Sequence, residues 1–213
     1  MTQRKPADAR RREIADAALK VIAEQGLARF TALAIAREVG VSDAALFRHF
    51  PSKEAIVLAV IDRVEEILFE GFPPAGPDPI ARLGHFFRQR VAVIRDNPGV
   101  ARLVGSEQLA QAAPPEGVSR VAEFRRRSTS FVRQMLSEAQ ANGLLAEGIQ
   151  AEEASVMVLG SLLALAHAGL ARTSARLPER VWAVLERTLR GRGSRREVTS
   201  QPATRATSRR SVS

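Results

Sequence analysis

The sequence of 213 residues contains no cysteine and no tyrosine, and its aromatic residues are nine phenylalanines and one tryptophan. Without cysteine the chain can form neither disulfides nor thiolate nucleophiles nor sulfur-ligated metal sites. Aromatic residues that favour strands are scarce, whereas Ala, Leu, Glu and Arg, which lose little conformational freedom in a helix, are frequent. The composition therefore predicts an all-α protein.

Sequence signatures of enzymes are also missing. There is no histidine paired with a carboxylate at motif spacing, no glycine-rich phosphate loop and no HExxH pattern. The three histidines, His49, His85 and His167, are widely spaced and match no metal-binding pattern. We therefore expect no enzymatic activity, no metal ion and no cofactor, and a deep pocket with two carboxylates would reopen the enzymatic alternative.

The formal charge of +9 lies at the two ends of the chain. Residues 1–12 hold five basic residues and one acidic residue, residues 191–213 hold six arginines and one glutamate, and the sequence between them is neutral. We expect a flexible basic arm over residues 1–9 and a disordered basic tail over 191–213, which would attract DNA phosphates or simply aid solubility. The polar start of the chain lacks the apolar core of a secretion signal, which favours a cytoplasmic protein.

Residues 10–55 are expected to form a small domain of short helices. A first helix has apolar residues at helical spacing from Ile14 to Ile22, and Thr31 can cap a second helix that ends at Gly40. The expected inner face of that second helix is Leu33, Ile35, Ala36 and Val39. Ser42 can cap a third helix that ends before Pro51, and Ser52 can cap a fourth. Two short helices separated by a glycine are the outline of a helix-turn-helix.

In the third helix, Ala45, Leu46 and Phe50 are expected to pack inward. Phe47 would then be exposed, where an apolar ring needs something to cover it, such as a thymine methyl group or a deoxyribose. The alternative is that Phe47 folds back into the core.

The stretch TALAIAREVGVSDAALFRHFPSKEAI, residues 31–56, resembles the DNA-binding signature of TetR/AcrR-family bacterial regulators. The resemblance implies that the third helix enters the major groove, with residues 42–45 facing base edges. It implies that Phe47 and His49 lie on the DNA backbone, and that Thr31 and Lys53 contact phosphates. The DNA-binding residues expected on this basis are Thr31, Ser42, Asp43, Ala44, Ala45, Phe47, Arg48, His49 and Lys53.

This chain departs from the family pattern at three of these positions. Phe47 stands where the family commonly has tyrosine, and Ala44 and Ala45 stand where glycine and threonine are frequent. Because a hydroxyl donor or two is missing, phosphate binding would depend more on Arg48, Lys53 and the amides at the helix starts. Arg48 could also reach a guanine, and Asp43 could either read a cytosine amino group or simply favour the helix start.

Residues 56–190 are expected to form a larger helical domain, with helices near 79–96, 118–141 and 178–190. The stretch 154–170 has no polar face, which predicts a wholly buried helix in preference to a membrane span. The resemblance implies a homodimer through helices near 118–141 and 151–172 and a ligand pocket among the helices. The candidate dimer residues are Phe131, Met135, Gly160, Ser161, Ala164 and Ala168. The candidate pocket residues, each of which could equally be ordinary core, are His85, Phe86, Phe87, Phe124, Met157 and His167.

The expected function is that of a nucleoid-associated transcriptional regulator, a repressor that an unknown small, largely apolar inducer releases from a palindromic operator in double-stranded DNA. AALFRHFPSK and NPGVARL also resemble a branch of the family that binds chromosomal sites and restrains cell division by contacting a tubulin-like protein. That alternative predicts a filled core and a protein-binding surface, whereas the repressor hypothesis predicts an open pocket.

Overall fold

The computed structural model describes residues 5–105, 113–167, 174 and 176–191, which contain helices and turns and no strand. The all-α prediction is confirmed. The helices are α1 (Lys5–Gln25), α2 (Ala32–Val39), α3 (Asp43–His49), α4 (Lys53–Phe69), α5 (Pro79–Asp96), α6 (Pro98–Gly105), α7 (Pro115–Ala141), α8 (Ala151–His167) and α9 (Leu177–Arg190). A short 3-10 turn, Leu27–Arg29, joins α1 to the residues before α2.

Three side-chain caps set the starts of α2, α3 and α4, as the sequence predicts. The hydroxyl oxygen of Thr31 accepts a hydrogen bond from the amide of Ala34 at 3.1 Å. The hydroxyls of Ser42 and Ser52 accept from the third amide of their own helices at 3.2 Å. Each bond satisfies one of the free amides at a helix start. Gly40 ends α2 in the left-handed conformation that glycine adopts without steric cost, with φ of 75°.

The apolar side chains form two cores. The first lies among α1, α2, α3 and α4 and is completed by Val100 and Leu103 of α6 and Val121 and Phe124 of α7. The second joins α5, the later part of α7, α8 and α9. Because the first core continues along α4 past residue 55, no gap in packing marks the expected domain boundary there, and that boundary stays a prediction.

Three expectations about the helices are corrected. Residues 5–9 are helical and do not form a flexible arm. Leu33 is 48% exposed, because it lies two residues, about 200° of helix rotation, from Ile35 at the centre of the buried face. In the single chain α8 is not wholly buried, since Val156 is 69% exposed.

The described residues contain no helix that is both long and apolar enough to cross a membrane. The expected basic tail, apart from Gly191, lies outside the described residues, as do residues 1–4 of the expected arm.

Candidate functional site

We use the name reading surface for a set of side chains that spans Thr31 before α2, helix α3 with its cap, and Lys53 at the start of α4. It consists of the nine expected DNA-binding residues Thr31, Ser42, Asp43, Ala44, Ala45, Phe47, Arg48, His49 and Lys53. Seven of them are exposed, and Ala45 and His49 are half-buried. Leu46 and Phe50 are fully buried and hold α3 against the first core. Phe47 is 43% exposed, so the alternative in which it folds back into the core is wrong.

The reading surface has chemistry suited to phosphates. The hydroxyl oxygens of Thr31 and Ser42 accept bonds from helix amides, so their hydrogens stay free to donate. Lys53 is the first residue of α4, where the positive end of the helix dipole adds to its charge. Its Nζ lies 5.9 Å from the centroid of the Phe30 ring, and this contact limits the directions in which the ammonium group can point.

A cavity of about 1090 Å³ lies beside the first core, bounded by residues of α5, α6, α7 and α8 and by the turn that follows α1. Phe86, Phe124, Leu159 and Leu162 supply part of its apolar wall. Its volume is slightly above the usual range of small-molecule binding sites, about 300–1000 Å³.

Arg90 is the most unusual residue of this cavity. It is 8% exposed, its Nη2 donates to Ser128 Oγ at 3.2 Å, and its Nε has no hydrogen-bond partner. The guanidinium carbon lies 5.0 Å and 5.1 Å from the ring centroids of Phe69 and Phe86. No described carboxylate forms an ion pair with it. Burial, with a smaller contribution from the positive charge of Arg127, lowers the pKa of Arg90 to about 10.

Three further arginines line the cavity, and each has a partner. Arg95 pairs with Asp96 at 2.8 Å. Arg102 Nη1 donates to the carbonyl of Ile22 at 3.4 Å. Arg125 Nη2 donates to the carbonyl of Val104 at 2.6 Å. The described lining therefore holds four arginines and no aspartate or glutamate.

The structure places some of the expected pocket residues at this cavity and not others. Phe86 and Phe124 line it, whereas Phe87 packs in the second core against Trp182, with ring centroids 5.4 Å apart. His85 is exposed on the solvent side of α5, since it lies about 200° of helix rotation from the buried Leu83.

Met157 lies on the exposed side of α8 and does not line the cavity. The side chain of His167 lies outside the described residues.

The sequence did contain a signal for Arg90. On α5 it follows Leu83 and Phe87 and precedes Ile94 at intervals of four, three and four residues, which is the spacing of the buried stripe. An arginine within an apolar stripe is exceptional, because arginine is almost never fully buried unless it is paired. That signal indicates a buried cation, but only the tertiary contacts reveal that no carboxylate meets it.

Arg90→Met is expected to leave the free energy of unfolding unchanged or to raise it. The lowering of the Arg90 pKa to about 10, by burial and by the charge of Arg127, corresponds to a cost of about 3 kcal/mol for holding the charged group there. Methionine of similar length removes that cost while filling the space, although contacts with Phe69, Phe86 and Ser128 are lost. Chemical denaturation measures the difference, and a large loss of stability would show that those three contacts outweigh the cost of burying the charge.

Exposed apolar residues lie along one side of α8, and Val184 of α9, the helix that packs beside α8, is exposed as well. These exposed residues are Val156, Gly160, Leu163, Ala164 and Val184, which we call the α8–α9 face. The first three are spaced by four and three residues and therefore share one side of the helix. Exposed apolar residues grouped on one side of a helix are typical of an interaction site.

The expected dimer residues fall into two groups. Gly160 and Ala164 lie on the α8–α9 face, and Ser161 is half-buried beside it, its hydroxyl donating to the Met157 carbonyl at 2.8 Å. Phe131 and Met135 are buried in the second core of the same chain. The expectation that these two contact a partner is wrong, because the part of α7 that carries them turns its apolar stripe toward α5 and α8. Ala168 lies outside the described residues.

The first core is joined to the cavity through a close contact between α1 and α6. A Cβ atom added to Gly99 would lie 2.2 Å from the carbonyl oxygen of Leu19, so only glycine permits this approach. One turn farther along α6, Arg102 reaches the carbonyl of Ile22. Gly26 and Leu27, which follow α1, line the cavity themselves. A molecule in the cavity would therefore contact the turn that directly follows α1, the helix that packs against α2.

The fold and the reading surface define a helix-turn-helix DNA-binding protein. Residues 14–60 match the family of bacterial regulatory proteins, tetR family. Over 133 residues the chain is 33% identical to the nucleoid occlusion factor SlmA of Marinomonas sp. (strain MWYL1), a match that covers 61% of this chain and 67% of that protein. Two further nucleoid occlusion factors match over 52% and 56% of their own lengths. The chain belongs to the TetR family of transcription regulators.

Solved structures share the fold. The TetR-family regulator PfmR from Thermus thermophilus has a TM-score of 0.66 at 23% identity, with 84% of this chain and 94% of that chain covered. AibR, in complex with isovaleryl coenzyme A and operator DNA, has a TM-score of 0.66 at 17% identity, with 85% of this chain and 98% of that chain covered.

Proposed function

We propose that the protein is a transcriptional repressor that binds an inverted-repeat operator as a homodimer and leaves it when a small molecule enters the cavity. The observation that carries this proposal is the cavity of about 1090 Å³ beside the α1–α6 contact. In this protein α1 packs against α2 of the helix-turn-helix and also against α6, which borders the cavity. That arrangement suits a regulator whose DNA affinity responds to a ligand.

In the proposed complex α3 lies in the major groove. Residues 42–45 at its start face base edges, while Thr31 and Lys53 bind phosphates on either side. Phe47 covers a deoxyribose or a thymine methyl group, and His49 lies along the backbone. Arg48 is assigned to a phosphate, because it is exposed at the end of α3 that lies away from the base-facing residues.

A homodimer would form by packing two α8–α9 faces against each other. A dimer doubles the length of DNA that is read, which a single chain needs because a helix of seven residues reads only a few base pairs. Two such helices held about 34–36 Å apart, or a multiple of it, recognise a two-fold symmetric operator. The dimer would also cover the exposed apolar side of α8, which would then be buried as its all-round apolar sequence predicts.

The ligand would act by shifting the relative populations of two dimer arrangements. A molecule that binds more tightly when the two reading surfaces are at the wrong spacing releases DNA by that difference in affinity. Gly99 and Arg102 make α6 the natural connection, because both contact the backbone of α1.

A second candidate is a DNA-bound factor that acts on a cell-division protein without an inducer. The similarity to nucleoid occlusion factors supports it. That alternative predicts a filled core, whereas a cavity of about 1090 Å³ is better accounted for by ligand binding. The solved relative AibR, whose structure holds isovaleryl coenzyme A and operator DNA, supports a ligand-responsive regulator. Either role would place the protein on the nucleoid, in the cytoplasm.

Selection of bound sequences from random duplex DNA, together with the mass of the complex, tests the proposal. An inverted repeat bound by two or four chains is expected, and it would supply an operator for inducer screens. Salt-sensitive binding without any sequence preference would contradict it. To separate the two candidates, the operator complex is then titrated with small molecules and, in parallel, with a purified tubulin-like division protein.

Lys53→Ala is expected to weaken binding to all DNA sequences alike. Removing one phosphate contact should lower the slope of log K against log salt by about 0.9. Lys20→Ala is the matched control, because it removes the same charge from the exposed side of α1, where Lys20 pairs with Glu38 at 2.6 Å. A change in sequence preference in the Lys53 variant would contradict the assignment of Lys53 to a phosphate.

A further inference from the structure

We infer that the ligand of the cavity is an amphipathic organic anion whose carboxylate or phosphate group pairs with Arg90 and whose apolar part lies along Phe124, Leu159 and Leu162. This inference rests on the proposed function, in that it identifies the cavity as the ligand site. It differs from the largely apolar inducer that the sequence led us to expect.

The first support is the environment of Arg90. A charged group taken out of water loses its hydration, and proteins normally compensate with a counter-ion and a full set of hydrogen bonds. Arg90 has one hydrogen bond, to Ser128, and its Nε has none. Two phenylalanine rings approach the guanidinium, but an aromatic face compensates a cation only in part. The missing partner is an anion.

The second support is the charge of the whole lining. Four arginines and no described aspartate or glutamate surround the cavity, so its interior attracts negative charge. Arg95 already has a carboxylate, while Arg102 and Arg125 reach only carbonyl oxygens, which carry no net charge. A neutral ligand would leave Arg90 without a counter-ion and remove its remaining access to water.

The third support is the position of the polar groups relative to the apolar wall. The hydroxyls of Ser128 and Thr129 line the cavity on the same helix, α7, as Phe124. Ser128 is bonded to Arg90, so both groups can donate to one anionic oxygen pair. Leu159 and Leu162 of α8 line the cavity as well and offer an apolar surface. A compact inorganic anion would leave this apolar wall uncovered, whereas an anion with an aliphatic tail would contact both the polar groups and the apolar wall.

Calorimetric titration of the full-length protein with three probes of equal chain length tests the inference. The probes are decanoate, decyl phosphate and the neutral decanol, each kept below its aggregation concentration. We expect the better-bound anion to bind about tenfold or more tightly than decanol, since hydrogen bonds to charged groups are worth about that factor. Whichever of decanoate and decyl phosphate binds more tightly identifies the head group.

Variants separate Arg90 from the general basic charge of the protein. Arg90→Met should abolish the preference for anions, leaving decanoate no tighter than decanol. Arg88→Met, the same change on the exposed side of α5 two residues earlier, should keep that preference. Arg90→Lys retains the cation and should retain part of the preference, which keeps the test informative if the methionine variant folds poorly.

Two results would overturn the inference: decanol binding as tightly as both anions to the native protein, or an undiminished preference for anions in Arg90→Met. Operator release is measured separately. Anions that bind at Arg90 without releasing DNA would support the anion site and contradict the inducer role. If only neutral molecules release the operator, the result would support a ligand-responsive repressor and contradict the anion site.

Discussion

Gly160→Arg is expected to make the protein a monomer and to lower its affinity for an inverted-repeat operator by about 10²-fold or more, the gain usually obtained by linking two binding modules. Gly160 is at the centre of the α8–α9 face, between Val156 and Leu163. An arginine there would bring a charge and a long side chain into a close apolar contact, and each partner would bring one.

The single chain should tolerate this substitution. A Cβ atom at Gly160 meets nothing within 4 Å, so the arginine can extend into solvent in a folded monomer. Sedimentation equilibrium gives the mass, and circular dichroism tests the fold. Gln134→Arg, which adds the same side chain to an exposed position of α7, should stay dimeric. A Gly160→Arg protein that still sediments as a dimer would show that the interface lies on another surface.

Gly99→Ala is expected to lower the free energy of unfolding by about 1–3 kcal/mol, the usual cost of overpacking. In a chain of 213 residues this corresponds to a fall in Tm of about 2–12 °C, at about 2–4 °C per kcal/mol. The added methyl group would lie 2.2 Å from the Leu19 carbonyl oxygen and 2.9 Å from its carbonyl carbon. Because both atoms are backbone, α1 and α6 have to separate.

Two opposing effects decide whether Gly99→Ala lowers or raises the free energy of unfolding. Replacing a helical glycine with alanine stabilises a helix by about 1 kcal/mol where space is free. Gly160→Ala provides that control for the single chain, where its Cβ meets nothing within 4 Å, and it should be neutral or stabilising when both variants are measured as monomers. Differential scanning calorimetry of both variants separates the steric cost from helix propensity. An unchanged or raised Tm for Gly99→Ala would show that α1 and α6 can separate without cost.

The same variant also tests the connection between the cavity and the reading surface. If the α1–α6 contact sets the spacing of the two reading surfaces in the dimer, Gly99→Ala should weaken operator binding more than non-specific DNA binding. Equal effects on both would indicate a general loss of stability. The comparison requires both affinities at one salt concentration, because phosphate contacts make each of them salt-dependent.

The α8–α9 face and Arg90 are both energetically unfavourable in a single chain, for opposite reasons. The face is apolar but exposed to water, whereas Arg90 is charged but buried. An exposed apolar face is compensated by a second copy of the chain in the proposed dimer. A buried cation is compensated by the proposed ligand. In both proposals the partner is chemically complementary to the feature that it would cover, an apolar surface in one case and a cation in the other.

The local chemistry of the sequence determined the helices of the DNA-binding part. Thr31, Ser42 and Ser52 fix helix starts, because a hydroxyl two or three residues before an amide can bond to it whatever else surrounds them. Gly40 ends α2 for an equally local reason, its freedom to adopt positive φ. The interval Pro79–Asp96 was predicted at both ends for α5, where Asp78 accepts bonds from the first amides.

Tertiary structure alone decided which side of each helix meets which neighbour. Phe131 and Met135 have the same helical spacing whether they face a partner chain or the core, so their burial depends on where α5 and α8 lie. The sequence of α8 is apolar on all sides, so it likewise did not reveal which side of the helix is buried within its own chain. The isolation of Arg90 from every described carboxylate and the closeness of Gly99 to Leu19 also depend on distances between helices far apart in sequence. Hydrophobic periodicity specifies a buried face but not its partner, because burial is non-directional.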